Sequence, residues 1–427
     1  MMRHRAFTCF VLCCVTTLAF NSAAPAQHIN GAGIATAGTR PTDTVEIANQ
    51  PVERRAPNGK EQHPAFPGQT RAPAVITKTP LDIRVIASGL RFPWALAFLP
   101  DRNMLITEKP GAMRIVTPDG KIGDPIKGVP AIFFRQDAGL MDVTLDPDFA
   151  KNRMIYVAYV ERRGNENGGI IAKARLSDDG RSLENLTTIY THPTMRDAAH
   201  YGARLLFNKD GTLFVTFGER FDSPTREQAQ DLNSSMGKII RINTDGTPAK
   251  GNPFEHTAGA LAEIWSYGHR NPQGLTFNPI NGELWSSEHG AQGGDEINII
   301  LPGKNYGWPI IGYGMNYDGS QIGDGSAKKD GMEQPVYYWD PAIAPSGCTF
   351  YTGDLIPEWK NNLFVAGLVG EHVARLVLGS DGHKVIGEER LLLEQHQRMR
   401  DIQQGPDGAL WVVTDEWNGR LIRIAAR

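Results

Sequence analysis

Cysteine is almost absent from the body of this 427-residue chain, and so is any large excess of charge of one sign. Three of the four cysteines, Cys9, Cys13 and Cys14, lie close to the N-terminus, which leaves Cys348 alone and excludes an intramolecular disulfide in the remainder. The formal net charge is −3, so the chain lacks the basic balance typical of nucleic-acid-binding proteins. We expect Cys348 to be a buried small apolar side chain rather than a reactive thiol.

Long apolar runs are also missing, except near the N-terminus. Arg3 and Arg5 precede an apolar stretch from Phe7 to Phe20, and the small residues of Ala24 to Ala26 follow it. This order is typical of a cleaved secretory signal peptide over residues 1–26, with an uncleaved anchor as the alternative. The stretch is short for a bilayer span. We therefore expect a periplasmic or secreted protein with no membrane span in the mature chain.

Residues 27–79 have a composition that is typical of a linker. They are rich in Pro, Ala, Thr, Gly and Gln, and no apolar period extends over more than a few residues. Such a segment buries too little apolar surface to offset the entropy lost on ordering. We predict a disordered linker over residues 27–79, followed by one domain over residues 80–427.

A recurring phrase dominates the rest of the chain: an apolar strand, a turn with Pro or with Asp-Gly or Asn-Gly, and a second strand. Its six instances begin at Trp94, Leu140, Ala203, Gly274, Asn361 and Ile402. The phrase predicts an all-β fold, a six-bladed β-propeller of four-stranded antiparallel blades, with a β-sandwich as the alternative. Long insertions at 222–235 and 316–334 are of the kind that builds a site on one face of a propeller.

The segment from Ile264 to Pro309 carries the densest set of chemically useful side chains. Arg270 and Asn271 follow one strand, Glu288 and His289 follow the next, and two acids stand behind a Gly-rich turn. Carboxylates beside such a turn, together with free backbone carbonyls, suit a hard cation such as calcium. The residues that fit this need are Gly290, Ala291, Asp295 and Glu296. A pair of adjacent acids in a glycine-rich loop is also typical of a solvated turn.

The phrases GHRNPQGL, EHGAQGGDEIN and NYGWP, in this order, resemble the glucose/sorbosone dehydrogenase family of quinoproteins, especially its soluble aldose sugar dehydrogenase branch. The likeness continues through QDAGLMDVTLDPDF, HYGARLLF, APSG, PEWKNNLFVAGL and RMRDIQQGPDGALWVVTD, and so covers residues 81–427. The resemblance implies a six-bladed propeller, which agrees with the repeat count. It also implies oxidation of the C1 hydroxyl of aldoses to lactones by pyrroloquinoline quinone (PQQ), assisted by calcium. The electrons would pass to an unidentified acceptor, a quinone or a cytochrome.

The resemblance assigns roles to individual residues. His200 matches the general base, a task that suits the near-neutral pKa of an ordinary histidine, and Glu219 matches the acid that orients it. Arg270 matches the cation that faces the reactive quinone carbonyl. Arginines suit the carboxylates of PQQ because they bind them in a bidentate way. The implied cofactor contacts are Gln136, Arg270, Asn271, His289, Arg398, Arg400 and Asp415, and the implied substrate contacts are Gln136 and His200.

The implied calcium ligands form two groups. The backbone carbonyls of Gly290 and Ala291 match an ion that also touches the cofactor, whereas Glu296 and Tyr306 match a second site, and Asp295 lies between the two.

Three positions depart from the pattern of the soluble glucose dehydrogenases. Ala199 replaces the acid before the base, Val369 replaces a lysine that contacts the quinone, and His289 replaces a glutamine. All three belong to the rim of the cofactor or substrate pocket. They favour a broad aldose range over strict glucose specificity.

Two other function classes stay open at this point. A calcium-dependent lactone hydrolase would need several carboxylate and Asn side chains around one central ion, and would have no use for Arg398 and Arg400. A non-catalytic propeller that binds carbohydrate or protein partners would have no use for His200 or Arg270, since a fold does not dictate a function.

Overall fold

The structure is a computed structural model that describes residues 47–221 and 223–427. The predicted signal peptide, residues 1–26, lies outside the described residues, as does the first part of the predicted linker. Among the residues that are described, no helix has both the length and the apolar character needed to cross a membrane.

The described residues form six antiparallel sheets, which we number blade 1 to blade 6 in chain order. Blade 1 contains β2 (Pro93–Phe98), β3 (Met104–Glu108) and β4 (Ala112–Val116). Blade 2 contains β5 (Leu140–Leu145), β6 (Met154–Arg163), β7 (Glu166–Leu176) and β8 (Leu183–Thr191). Blade 3 contains β9 (Leu205–Phe207), β10 (Leu213–Phe217), β11 (Lys238–Ile242) and β12 (Ile264–Tyr267).

The last three blades complete the ring. Blade 4 contains β13 (Pro272–Phe277), β14 (Leu284–Glu288), β15 (Asp295–Ile299) and β16 (Tyr337–Trp339). Blade 5 contains β17 (Pro345–Phe350), β18 (Leu363–Gly367), β19 (His372–Leu378) and β20 (Val385–Leu391). Blade 6 contains β21 (Met399–Gln404), β22 (Leu410–Thr414), β23 (Gly419–Ala426) and β1 (Leu81–Leu90). The helices of the described part are α1 (Phe149–Asn152), α2 (Ser223–Arg226) and short 3-10 turns at Glu227–Gln230, Pro357–Trp359 and Leu393–Gln395.

Each recurring phrase of the sequence corresponds to one blade, and the first strands of the six blades adjoin one another in a closed ring: β2, β5, β9, β13, β17 and β21. The predicted six-bladed propeller is therefore confirmed. Five sheets have the predicted four strands, whereas blade 1 has three among the described residues.

The second strands of the blades explain why the repeats are so apolar. Every residue of β3 (MLITE), β18 (LFVAG) and β22 (LWVVT) is buried, because each blade packs between its neighbours on both faces. The tight turns use glycines with positive φ: Gly211 at 82° and Gly408 at 77°. Cys348 is buried in β17, as expected, and burial raises the pKa of its thiol to about 12.

The ring is closed by strands from opposite ends of the domain. β1 pairs with β23 in antiparallel fashion, from Leu81 opposite Ala426 to Leu90 opposite Gly419. The strand that precedes blade 1 thus forms the outer strand of blade 6. This pairing covers an edge that would otherwise be open to association.

Residues 47–79, which we call the strap, differ from the predicted disordered linker because they pack against blades 4 and 5. The strap extends the outer edge of β20, where Val75 donates to the Glu388 carbonyl at 3.0 Å and the Glu388 amide donates to Pro73 at 3.0 Å. Glu53, only 4% exposed, forms an ion pair with Arg390 at 3.0 Å. Hydrogen bonds and a buried ion pair hold the strap against the propeller. The strap is therefore ordered without a periodic pattern of apolar residues.

Candidate functional site

The predicted functional side chains lie in two kinds of loop, those before the first strand of a blade and those after its second strand. Because these two strands are antiparallel, both loops lie at the same end of a blade. The residues before first strands are His200, Arg270, Asn271 and Arg398, and those after second strands are Glu219, His289 and Asp415. The fold therefore gathers them at one end of the ring.

His200 and Glu219 form a buried pair. His200 Nδ1 lies 3.1 Å from Glu219 Oε1, and the exposed fractions of the two residues are 7% and 1%. The His200 backbone has a positive φ of 48°, and its N–H donates to Asp137 Oδ2 at 3.2 Å. A carboxylate at Nδ1 favours the tautomer with the proton on that nitrogen, which leaves Nε2 as the acceptor.

Glu219 is held as a carboxylate. Burial alone would raise the pKa of Glu219, but the His200 ring and the Arg270 charge lower it below its usual range. The Glu219 carboxylate also accepts the backbone N–H of Phe221, and the Glu219 N–H donates to the Arg270 carbonyl at 2.9 Å. The acid that orients the His200 ring is thus fixed by its own backbone contacts.

Arg270 and Asn271 connect the His200 loop to the loop after β14. The Arg270 guanidinium donates to the carbonyl of His289 at 3.2 Å and to that of Gly290. Asn271 Oδ1 accepts the backbone N–H of Gly202 at 3.0 Å. Arg270 is therefore fixed where it can face a ligand that lies between these two loops.

A second group of charges surrounds Asp415. The Arg400 guanidinium pairs with Asp415 Oδ2, and Lys109 Nζ lies 2.9 Å from Asp415 Oδ1. Burial alone would raise the pKa of Asp415, but Arg400, Lys109 and Arg398, in that order, lower it. Arg400 also donates to Gln273 Oε1 at 2.7 Å. Three basic side chains thus stand near two acids, Asp415 and Glu416, which leaves the group with an excess of positive charge.

His289 lies between the two groups. Burial lowers the pKa of His289 well below its usual range. The basic side chains that lower it further are, in order of effect, His200, Arg270, Arg400 and Arg398. The structure therefore brings the predicted base and the predicted arginines around one neutral imidazole.

The site has unused hydrogen-bond donors. Arg270 Nε and Arg400 Nε are buried and have no hydrogen-bond partner within the part of the chain that is described, and the same holds for His289 Nε2. Such atoms are free to contact an added ligand. Together with the excess positive charge, they fit a ligand that carries several carboxylates or carbonyl oxygens.

The predicted calcium ligands lie on and behind the loop after β14. Asp295 Oδ1 accepts the Gly290 N–H at 2.7 Å, and Oδ2 accepts the backbone N–H groups of Ile343 and Ala344 at 2.6 and 2.7 Å. Burial raises the pKa of Asp295 to about 6. The Asp295 side chain thus holds the loop, and its role as a cation ligand stays a prediction. The Gly290 carbonyl accepts from Arg270, and Ala291 is buried beside it.

Glu296 lies on β15, the strand that follows this loop, and Tyr306 contacts the end of the same strand. Glu296 is opposite Glu288 on the neighbouring strand, and burial together with the Glu288 charge raises the pKa of Glu296 to about 8. The Tyr306 hydroxyl donates to the Ile299 carbonyl at 2.6 Å. No group of three or more His, Cys, Asp or Glu side chains in the described ranges is arranged to hold a metal.

The two predicted insertions meet beside Arg270. Arg226, at the end of α2, donates to Asn316 Oδ1 at 3.3 Å and lies 4.6 Å from the ring of Trp308. Arg270 lies 5.1 Å from the same ring. Both insertions therefore form part of the wall of the site, as their length predicts.

Two residues of the site are absent from the sequence-based prediction, Lys109 and Asp137. Lys109 follows β3 and so occupies the same position in its repeat as His289 and Asp415 in theirs, a signal that could have identified it. Asp137 follows Gln136 directly and binds the His200 backbone. Gln136 is half-buried with a φ of 53°. Because it precedes Asp137, it lies in the loop that contacts the predicted base.

Comparison with known proteins identifies the family of the chain. The sequence model of the family described as glucose/sorbosone dehydrogenase matches residues 90–423. Aldose sugar dehydrogenase YliI of Escherichia coli (strain K12) is 41% identical over 360 residues, which cover 83% of this chain and 94% of that protein.

Solved structures give the same result. The apo-form of soluble aldose sugar dehydrogenase from Escherichia coli matches with a TM-score of 0.77 and 40% identity, over 81% of this chain and 100% of that one. The PQQ-bound form of aldose sugar dehydrogenase from Streptomyces coelicolor matches with a TM-score of 0.64 and 28% identity, over 82% and 99%. These matches confirm the family predicted from the motifs: the chain belongs to the glucose/sorbosone dehydrogenase family.

Proposed function

We propose that this protein is a PQQ-dependent aldose sugar dehydrogenase that oxidises the C1 hydroxyl of aldoses to lactones with the help of calcium. The observation that carries the proposal is the His200–Glu219 pair beside the side chains of Arg270, Arg398, Arg400 and Lys109, which we call the basic cluster. Within it, Arg270 and Arg400 have buried donors without a partner among the described residues. The PQQ-bound relative from Streptomyces coelicolor supports the choice of cofactor. The alternative hydrolase would not need this basic cluster.

The cofactor would be held mainly by charge. PQQ is a planar quinone with several carboxylates, and the basic cluster supplies the cations that pair with them. The residues that would hold it are Arg270, Arg398, Arg400 and Lys109, with Gln136, Asn271, His289 and Asp415 around them. When bound, PQQ supplies the oxidant, because it accepts the C1 hydrogen with its electron pair.

His200 would act as the base. Glu219 holds Nδ1, so Nε2 can accept the proton of the C1 hydroxyl as the C1–H bond breaks and the C1–O bond becomes the lactone carbonyl. The imidazolium that forms is stabilised by the buried Glu219 carboxylate. Arg270 would stabilise negative charge that develops on the oxygen it faces.

Calcium would bind along the loop after β14. The Gly290 and Ala291 carbonyls would serve the ion beside the cofactor, with Gly290 shared with Arg270. A second ion near Glu296 and Tyr306 would relieve the repulsion between Glu296 and Glu288 that helps to raise the pKa of Glu296. Removal of calcium with a chelator should therefore lower the affinity for PQQ.

The test is reconstitution of the purified protein with PQQ and calcium, followed by dye reduction with a panel of aldoses. We expect reduction with several aldoses and none with His200→Ala, while His63→Ala, at an exposed strap position, keeps full activity. No reduction with any sugar, alcohol or aldehyde would refute the proposal. Lactone opening without PQQ would favour the hydrolase.

We also propose that the protein is exported. Residues 1–26 have the basic start, apolar stretch and small-residue end of a signal peptide. The expected mature N-terminus in the periplasmic or secreted fraction is Gln27, which N-terminal sequencing would identify. An N-terminus at Met1 in that fraction would contradict cleavage.

A further inference from the structure

The strap reaches the loop behind the site. Gln62 Nε2 donates to the Gly312 carbonyl at 3.0 Å, and Gln62 Oε1 accepts the Gly314 N–H at 2.6 Å. A single strap side chain thus satisfies two backbone groups of the segment 312–315, one as donor and one as acceptor.

The segment 312–315 lies directly on the loop that carries Gly290 and Ala291. Gln292 and Met315 exchange two backbone hydrogen bonds, at 2.9 and 3.1 Å. A Cβ atom on Gly294 would lie 1.9 Å from the Tyr313 carbonyl oxygen, so the two backbones touch without an intervening side chain. Displacement of 312–315 would therefore displace the loop 290–294.

Asp340 forms a second link between the strap and this loop. Its carboxylate accepts the backbone N–H groups of Asn58 and Gly59, each at 2.9 Å. On its other side a Cβ atom on Gly293 would lie 2.2 Å from Asp340 Oδ1. Asp340 is only 4% exposed and lies between the strap and the loop.

The strap itself has a firm base on the propeller. The Glu53–Arg390 ion pair fixes its first half, and backbone bonds of Gln69 to Tyr338 at 2.8 Å and of Val75 to Glu388 at 3.0 Å fix its second half. The solved Escherichia coli relative is matched over its whole length by 81% of this chain. The remaining fifth, about 80 residues, corresponds in length to the part of the chain before β1, which contains the strap.

We propose that the strap is a brace that holds the loop 290–294 in place, with Gln62 and Asp340 as its positioning residues. The brace keeps the Gly290 carbonyl against Arg270 and the Ala291 backbone buried, and so prepares the loop for its ligands. Binding of calcium and PQQ to this loop rests on the proposed function, whereas the contacts of the brace are present in the protein without ligands.

The test compares Gln62→Ala with Glu61→Ala, a change at the exposed neighbouring position. Hydrogen–deuterium exchange on the protein without added ligand should show the amides of 290–294 and 312–315 exchanging roughly tenfold faster in Gln62→Ala, since about two hydrogen bonds are lost. Glu61→Ala should match the wild type. Asp340→Ala should show the same local change, with a larger effect on global stability.

A titration with PQQ at fixed calcium completes the test. Gln62→Ala should bind PQQ several-fold more weakly, whereas kcat at saturating PQQ should stay near that of Glu61→Ala. Unchanged exchange at 290–294 in both Gln62→Ala and Asp340→Ala would overturn the brace. Faster exchange at 290–294 together with no PQQ binding by the wild type would keep the brace and refute the proposed function.

Discussion

At the scale of single residues, the proposed chemistry depends most on His200. Its ring is oriented by Glu219 at 3.1 Å and is not part of the basic cluster that would hold the cofactor. We predict that His200→Ala lowers kcat by roughly a factor of a hundred to ten thousand, the usual contribution of a general base, and leaves PQQ affinity nearly intact. Steady-state kinetics and a PQQ titration would measure both. Full activity in this variant would show that the base is another group.

Arg398 is the best position at which to test cofactor binding. Arg400 is buried, pairs with Asp415 and donates to Gln273, so its removal would disturb several buried contacts, whereas Arg398 is only half-buried. We predict that Arg398→Ala weakens PQQ binding by about tenfold or more, as expected for a charge-assisted hydrogen bond. Fluorescence titration would measure the affinity.

Arg84→Ala serves as the control for this prediction, because the Arg84 side chain is 67% exposed on β1. Equal PQQ affinities in Arg398→Ala and Arg84→Ala would remove Arg398 from the set of cofactor residues.

At the scale of elements, the stability that Glu53 of the strap contributes depends on pH. Burial alone would raise the pKa of Glu53, but a hydrogen bond from Arg55 and the Arg390 charge lower it from 4.5 to about 2. A lowered pKa in the folded state stabilises the protein above the unfolded value, so this contribution is present above about pH 4.5 and is lost as the pH falls towards 2. A shift of this size corresponds to about 3 kcal/mol.

We predict that Glu53→Gln lowers the free energy of unfolding by about 3 kcal/mol at pH 7, and that the difference from the wild type narrows as the pH falls from 4.5 towards 3. Urea unfolding at a series of pH values would measure it. A difference that stays constant over this range would show that the charge of Glu53 does not stabilise the strap.

The ordered structure of the strap could not be predicted from its own sequence. Composition predicts disorder for this segment because no apolar period is present, and an apolar period is what such reasoning detects. Glu53, Gln62 and Gln69 instead use hydrogen bonds and charge to bind residues more than two hundred positions away, such as Gly312 and Arg390. No local pattern in the strap reveals those partners.

At the scale of the whole molecule, the propeller depends on the pairing of β1 with β23. Arg84 lies opposite Arg423 in a regular part of this ladder. The Arg427 N–H donates to the Pro80 carbonyl, and hydrogen-bonded pairs alternate along an antiparallel ladder, so Arg84 and Arg423 form such a pair. We predict that Arg84→Pro opens the ring and costs about 3 kcal/mol or more of stability, because proline removes a ladder donor and fixes φ. Calorimetry against Arg84→Ala would measure the loss. Equal unfolding temperatures would show that closure contributes little.

The number of blades could be predicted because each blade is a local unit whose strands and turns follow one another in sequence. His200, Arg270, Arg398 and Arg400 could be assigned from motifs, and the structure brings them together. Lys109 is signalled only by its position after β3, the same repeat position as His289 and Asp415, and its partner Asp415 is 306 residues away. Ring closure also depends on a long-range contact that no local pattern reveals, because β1 and β23 lie at opposite ends of the domain.

The central claim is that this propeller removes the C1 hydrogen of an aldose when PQQ is bound. The most direct measurement is turnover of the PQQ- and calcium-loaded protein with glucose deuterated at C1, compared with unlabelled glucose, with dye reduction and lactone both quantified. We predict slower turnover of the deuterated sugar, equimolar lactone and reduced dye, and no reaction without PQQ. Dye reduction that proceeds without PQQ, or without formation of lactone, would contradict the account.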